Sequence, residues 1–172
     1  MRHLLFAALV IAGTGCSLIT VQQEPFPPLE VRAQRPAAPP PRVVLTESSI
    51  AIGEKVQFAT GSADILAVSH GLLDDVAKVL VDNPQIEQLQ VEGHTDSTGT
   101  AAINRKLSQQ RAESVMKYLE SKGVVAGRMK AKGFGPDKPI ADNATDEGKE
   151  KNRRVEFNIL KQGPKKTVVR DE

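Results

Sequence analysis

Aromatic residues and cysteines are scarce in this 172-residue chain, and tryptophan is absent. Aromatics make up 3% of the residues against 40% for all hydrophobic types, so any core must be built mainly from aliphatic side chains. The single cysteine excludes an internal disulfide and a multi-thiolate metal site. The 23 basic and 21 acidic residues give a net charge of +2, without the basic excess typical of nucleic-acid-binding proteins. Composition therefore excludes several classes of partner, nucleic acid among them, without selecting a function.

The apolar run at residues 4–12 is too short to span a bilayer, which needs about 20 apolar residues. It follows a positively charged start at Arg2, and it is followed by the small residues Gly13 and Gly15. This order of charge, apolar core and small residues is typical of a signal peptide. We therefore predict a signal peptide over residues 1–15.

Cys16 stands directly after this region. The arrangement resembles the lipobox of bacterial lipoproteins, in which the cysteine becomes the first mature residue and is acylated. Gly13 occupies the position where that pattern usually has leucine. The resemblance implies lipidation of Cys16, and Ser17 after it implies sorting to the outer membrane, as in lipoproteins of enterobacterial type. The alternative is ordinary signal cleavage that leaves a free thiol.

Prolines are concentrated between Cys16 and the start of the folded domain. Residues 17–42 hold seven of the eleven prolines, a density that neither a helix nor a sheet tolerates. We predict a lipid-anchored, extended tether over residues 16–42, with a reach of roughly 80 Å at about 3.1 Å per residue. The alternative is a disordered spacer with no length requirement.

The segment 43–161 has the alternation of strand and helix patterns that a single folded domain requires, and residues 162–172 are predicted to be a polar tail. Strands are predicted over residues 51–58, 89–94, 129–134 and 155–159, and helices over residues 62–83 and 100–122. The polar segment 136–152 is expected to hold a short helix capped by Thr145. The order β-α-β-α-β-loop-β is typical of an α+β fold with a mixed sheet and helices packed on one face.

Caps and apolar positions support the first helix. Ser62 and Asp64 offer N-cap chemistry, and Pro84 marks the end of the helix. Its predicted core positions are Ile65, Val68, Leu72, Leu73, Val76, Val79 and Leu80.

The second predicted helix carries polar residues where a core is expected. At 100° per residue, an apolar arc contains Ile103, Leu107, Ala112, Val115, Tyr118 and Leu119. Asn104, Ser108 and Arg111 fall inside the same arc. A half-buried arginine keeps its charge and therefore needs an acidic partner. Asp96, at the end of the preceding strand, is the nearest one in the topology.

Asp96, Arg111 and the first turn of this helix together suit a zwitterionic ligand. The guanidinium fork can bind a carboxylate, the aspartate can bind an amine, and free N–H groups at a helix start favour an anion. The alternative is a structural ion pair between Asp96 and Arg111 that closes the domain.

Several motifs together resemble the OmpA-like peptidoglycan-binding domain, over about residues 56–160. They are GHTDSTG at 93–99, then Asn104, Leu107-Ser108, Arg111-Ala112 and Asn152-Arg153-Arg154-Val155. The family includes peptidoglycan-associated lipoproteins. The resemblance implies that Asp96 holds the amine and Arg111 the carboxylate of the diaminopimelate residue in the wall peptide. It also implies that Asn104, Leu107, Phe58 and Thr60 line the pocket.

Arg153 is placed by strand alternation on the face of Val155 and Phe157. There it either borders the same site or forms a surface ion pair.

The resemblance implies an outer-membrane lipoprotein whose domain faces the periplasm, binds peptidoglycan non-covalently and tethers the membrane to the wall. The alternative is an adaptor that binds other envelope proteins and uses the fold as a scaffold. No nucleophile–base pair or phosphate-binding loop is apparent, so we expect neither an enzyme nor a cofactor. No metal site is predicted, because His94 and Asp96 have no further ligands at useful spacing and His70 lies on the first helix.

Overall fold

The structure is a computed structural model that describes residues 41–164. The predicted signal peptide, Cys16, nearly all of the predicted tether and the tail from residue 165 onward lie outside the described residues. Within residues 41–164, no helix combines the length and the apolar content that a membrane span requires.

Five strands form one sheet: β1 (Val43–Leu45), β2 (Ser49–Ile52), β3 (Ile86–His94), β4 (Met129–Gly135) and β5 (Val155–Gln162). Their order across the sheet is β1-β2-β5-β3-β4. Strands β3 and β4 are parallel, and the other neighbours are antiparallel. The sheet is thus mixed, as predicted.

Three helices accompany the sheet: α1 (His70–Asp82), α2 (Ala101–Ser121) and α3 (Asp146–Asn152). The bounds of α2 confirm the predicted second helix, and α3 confirms the short helix, since the Thr145 side chain accepts a hydrogen bond from the backbone N–H of Gly148. Helices α1 and α2 pack with the sheet around one aliphatic core. Its buried members include Ile50, Leu72, Leu73, Val76, Leu80, Leu89, Val91, Val115, Leu119 and Phe157. The predicted α+β fold class is confirmed.

The start of the domain differs from the prediction. The chain forms a hairpin of β1 and β2 and leaves the sheet after Ile52, so the predicted strand over residues 51–58 is wrong beyond that point. The following segment folds back on itself, because the backbone N–H of Leu66 donates to the carbonyl of Gln57 and Phe58 pairs with Ile65. These local bonds replace the pairing with the sheet that alternation alone had predicted.

The first helix begins later than predicted. Ser62 and Asp64 hydrogen-bond each other within a turn instead of capping a helix, and α1 starts at His70. Consequently Ile65 lies outside the helix and Val68 is exposed. The apolar pattern predicted one continuous helix, but a short 3-10 turn over Ala67–Ser69 precedes α1, so the residues before it do not continue the helix.

Helix α2 buries only part of the predicted arc, the part that contains Ala112, Val115 and Leu119. Ile103, placed in the apolar arc, is 66% exposed. The buried residues are Asn104, Ser108, Ala112, Val115 and Leu119. Asn104 and Ser108 therefore belong to the buried arc itself, and Arg111 lies beside it as a half-buried residue.

Two paired glycines explain how polar residues of α2 can lie against the sheet. Gly93 of β3 and Gly133 of β4 are register partners. A Cβ atom on Gly93 would lie 2.2 Å from the carbonyl oxygen of Ser108, and one on Gly133 would lie 2.3 Å from the backbone nitrogen of Gln109. The helix backbone thus rests directly on the glycine pair. The Ser108 hydroxyl accepts from the backbone N–H of Gly135 at 2.9 Å, which ties α2 to β4.

Candidate functional site

The loop between β3 and α2 holds Asp96 in a fixed position. The backbone N–H of Thr98 donates to Asp96 Oδ1 at 2.8 Å. The amide of Asn104, one turn into α2, donates to the carbonyls of Thr98 at 2.9 Å and Asp96 at 3.3 Å. The buried Asn104 therefore acts on the loop backbone, which accounts for a polar side chain in the buried arc of the helix.

Asp96 forms an ion pair with Arg153 and not with Arg111. Its Oδ2 accepts from Nη1 of Arg153 in a short contact. Burial alone would raise the pKa of Asp96, but the hydrogen bonds from Thr98 and Arg153 outweigh burial and lower it. The carboxylate is therefore ionised at neutral pH, and the closed Asp96–Arg111 pair considered from the sequence does not form.

The Arg111 guanidinium is hydrogen-bonded through Nε but not through its two Nη groups within residues 41–164. Its Nε donates to the carbonyl of Ser62 at 2.9 Å, and its guanidinium lies 4.9 Å from the ring centroid of Phe58. Burial, together with the nearby charge of Arg153, lowers the pKa of Arg111. Among residues 41–164, Arg111 makes no ion pair with a carboxylate, so its two Nη groups remain available to a ligand.

A cleft of about 400 Å³ lies in front of Arg111. Its lining residues are Lys55, Val56, Gln57, Phe58, His94, Arg111, Glu150, Arg153 and Arg154. Four of these carry a positive charge and one a negative charge. The lining residues thus carry a net positive charge, which suits a ligand that carries carboxylates.

The structure brings together some of the residues predicted for the site. Phe58, Arg111 and Arg153 line the cleft, and Asp96 joins them through its ion pair with Arg153. Asn104 supports the loop from beneath, as described above. The half-buried Leu107 and the exposed Thr60 do not line the cleft.

Arg153 lies elsewhere than the strand face predicted for it. It is the C-cap residue of α3, two positions before β5 begins. There its guanidinium contacts both Asp96 and Glu150. Arg153 therefore lines the cleft and also forms ion pairs, and its place in a ligand-binding site stays a prediction.

Sequence reasoning missed Lys55 and Glu150. Lys55 Nζ lies 3.0 Å from Glu150 Oε1, and Glu150 Oε2 in turn holds Arg153. These bonds make a continuous chain of charges from Lys55 to Asp96. The two residues are 95 positions apart in sequence, and no local pattern marks either of them.

Asn152 fixes the segment that carries Arg153. Its fully buried side chain accepts from the backbone N–H groups of Ile140 and Ala141 and donates to the carbonyl of Ala141 and to Asn143. Asn143 also accepts from the backbone N–H of Ser97 at 3.2 Å. This network connects the loop before α3 to the loop that holds Asp96, so the two sides of the site are held together.

Comparison with known proteins identifies sequence relatives of the domain. Residues 57–153 match the sequence model of the OmpA family. The chain is 45% identical over 104 residues to the probable lipoprotein YiaD of Escherichia coli, covering 60% of this chain and 47% of that protein. It is 37% identical over 133 residues to the peptidoglycan-binding protein ArfA of Mycobacterium tuberculosis, covering 75% of this chain and 40% of that protein. The chain thus spans less than half the length of these two relatives.

The fold is also similar to solved structures. One is the crystal structure of the peptidoglycan-associated lipoprotein from Burkholderia pseudomallei, with a TM-score of 0.56 and 31% identity. That similarity covers 61% of this chain and 89% of the other.

Proposed function

This chain belongs to the OmpA family, and on that premise we propose that its domain binds peptidoglycan non-covalently through the diaminopimelate residue of the peptide stem. Arg111 binds the side-chain carboxylate of diaminopimelate through its two Nη groups. Asp96 binds the neighbouring amine. The domain acts by binding and not by catalysis, so no bond of the wall is made or broken.

The observation that carries the proposal is the state of Arg111. Lys55, Arg153 and Arg154 each have a carboxylate partner in the structure, whereas Arg111 has none among residues 41–164. A half-buried guanidinium that is oriented by Ser62 and Phe58 and lacks a counter-charge is prepared for an external carboxylate. A bidentate carboxylate would complete its hydrogen bonding.

The charge pattern of the cleft favours a wall peptide over a neutral ligand. Peptide stems carry several carboxylates, and the cleft has more cations than anions. The amine of diaminopimelate needs an anionic partner, and Asp96 stays ionised at neutral pH because its pKa is lowered. The names of the relatives lend further support, since ArfA is named a peptidoglycan-binding protein.

The proposal extends to the anchoring of the chain. A lipid on Cys16 would hold the protein in the outer membrane, and residues 16–42 would span the gap to the wall, so that the domain faces the periplasm. The protein would then tether the outer membrane to the cell wall. Other envelope proteins are a second class of partner, and an adaptor role remains the alternative.

Diaminopimelate and lysine differ by one carboxylate, and this difference provides a test of the proposed ligand. We expect the full chain to co-sediment with sacculi that contain diaminopimelate and to bind sacculi with lysine in that position at least about tenfold more weakly, because Arg111 loses its partner. Equal binding to both kinds of sacculi would contradict the diaminopimelate assignment.

Asp96→Asn should weaken binding to diaminopimelate-containing sacculi by at least about tenfold, because the charge that attracts the amine is lost. The folded-state pKa of Asp96 is lowered, so its contribution to stability is present above about pH 3.9 and is lost as pH falls through the lowered pKa. Because the Asp96 carboxylate is ionised at both pH 5 and pH 7, binding of the unchanged protein should be similar at these two pH values. An Asp96→Asn variant that is folded and binds normally would remove Asp96 from the site.

Cys16→Ser should release the protein from the outer membrane or mislocalise it, because the chain has no other cysteine to carry the proposed acyl chains. The measurement is fractionation of cells together with mass spectrometry of the mature N-terminus. An unmodified Cys16 in the mature protein would exclude the lipid anchor and leave ordinary signal cleavage.

A further inference from the structure

The face of the sheet opposite the helices is not uniformly solvated. Glu92 of β3 and Glu156 of β5 are register partners, and His94 lies two residues beyond Glu92. Side chains of a strand alternate between faces, so all three lie on the face opposite Val91 and Phe157. Like charges that lie directly opposite each other across two strands are destabilising, and here Arg154 pairs with Glu156 while Lys138 approaches Glu92.

His94 is the unusual member of this group. Its side chain is 0% exposed, and neither ring nitrogen has a hydrogen-bond partner among the described residues. The ring is stacked on Phe134, with the centroids 5.4 Å apart. Buried polar atoms in folded proteins are nearly always bonded, so an imidazole with two unbonded nitrogens requires an explanation.

The three side chains have the spacing of metal ligands. His94 Nε2 lies 3.6 Å from Glu92 Oε2 and 3.9 Å from Glu156 Oε2, and the three ligand atoms all lie within 4.8 Å of one another. A zinc ion bound at about 2.0–2.2 Å holds neighbouring ligand atoms about 3.3 Å apart. We infer that Glu92, His94 and Glu156 form a binding site for a divalent cation of the zinc class.

The surrounding residues orient the carboxylates for such a site. Gln90 donates to Oε1 of Glu92 and Arg154 donates to Oε1 of Glu156, each at 2.6 Å. The Oε2 atoms lie on the side of His94, where each accepts one long hydrogen bond of 3.4 Å, that of Glu156 from the Asn158 amide and that of Glu92 from Lys138. Partners that hold the outer atoms of ligand side chains are typical of metal sites.

The protonation states also fit a cation. Burial, with a further effect from the charge of Arg154, lowers the pKa of His94, so the imidazole is neutral at neutral pH, as a ligand must be. Burial alone would raise the pKa of Glu92, but the hydrogen bond from Gln90 and other contacts lower it, so this carboxylate is ionised.

Lys138 is the competitor of the cation. Its Nζ lies 3.4 Å from Glu92 Oε2, but its side chain is 52% exposed and can turn into solvent. Access is provided by Glu156, whose side chain is 36% exposed and lines a second cleft of about 430 Å³. No metal site was expected at His94 from the sequence, because Glu156 reaches His94 only through the pairing of β5 with β3.

The test is titration of Zn²⁺ and Co²⁺ into the full chain, with Cys16→Ser in every variant so that the thiol contributes nothing. We expect one equivalent to bind and to shift the ring ¹⁵N resonances of His94 but not those of His70. Glu156→Gln should weaken binding at least tenfold. Lys138→Met should strengthen binding about threefold or more, because it removes the competing ammonium.

His70→Gln is the matched control, since His70 lies on α1 beside Tyr118, and it should leave the affinity unchanged. Binding that moves the resonances of His70 or His3 instead would overturn the site, as would unchanged affinity in Glu156→Gln or no His94 shift at millimolar zinc. Glu156→Gln should retain binding to sacculi, so a failure of this site and a failure of the proposed function can be distinguished.

Discussion

Arg111→Met should abolish binding to peptidoglycan while the domain remains folded. Methionine keeps the apolar stem in place beside the buried arc of α2 but removes the two Nη groups, which have no partner among residues 41–164. Loss of a desolvated, bidentate charge pair should weaken binding by at least about 100-fold, or roughly 2.7 kcal/mol. The measurement is co-sedimentation with diaminopimelate-containing sacculi over a range of protein concentrations.

The stability of Arg111→Met distinguishes a binding residue from a structural one. The lost bond to Ser62 and the contact with Phe58 together predict a decrease of about 1–2 kcal/mol in the free energy of unfolding. A decrease of about 3–5 kcal/mol, the cost of breaking a buried ion pair, would indicate a structural role instead. Denaturant unfolding of the same samples measures this difference.

Two control variants sharpen the test. Arg111→Lys keeps the charge but loses the fork, so it should retain part of the affinity, with a loss of about tenfold. Arg105→Met removes an exposed arginine of α2 that pairs with Asp137 away from the cleft, and it should bind as the unchanged protein does. An Arg111→Met variant that binds like Arg105→Met would refute the assignment of Arg111 to the site.

Gly93→Ala should destabilise the domain more than any change in the cleft. The added Cβ would lie 2.2 Å from the carbonyl oxygen of Ser108, which is backbone and cannot rotate away. Helix α2 would have to move away from β3. The hydrogen bonds from the backbone N–H of Gly133 to Gln109 and from that of Gly135 to Ser108 would then be lost. We expect a loss of at least about 3 kcal/mol in the free energy of unfolding, measured by denaturant titration.

Gly127→Ala is the matched control, because nothing lies within 4 Å of a Cβ at that position and its φ angle is ordinary. Its free energy of unfolding should change by less than about 1 kcal/mol, and a small increase is expected. A Gly93→Ala protein as stable as Gly127→Ala would show that α2 does not rest on the glycine pair as the structure indicates.

Local patterns in the sequence determined most elements of the fold. Residues 100–122 predicted α2 to within one residue at each end, since Thr100 caps the start and Gly123 stops the helix. Alternation predicted β5 and most of β3, where aliphatic side chains face the helices. The polar residues Asn104, Ser108 and Arg111 also marked α2 as the helix of interest, because a periodic apolar face is a local property that needs no tertiary contact to be recognised.

The tertiary structure alone decided which charges meet. Asp96 pairs with Arg153, and Lys55 pairs with Glu150, across long sequence separations that no local pattern encodes. The same holds for Glu156, which reaches His94 through strand pairing. A periodic pattern reports only the direction of a side chain relative to its own helix or strand. The partner of a charge depends on how the elements pack, and here that packing leaves Arg111 open to a ligand.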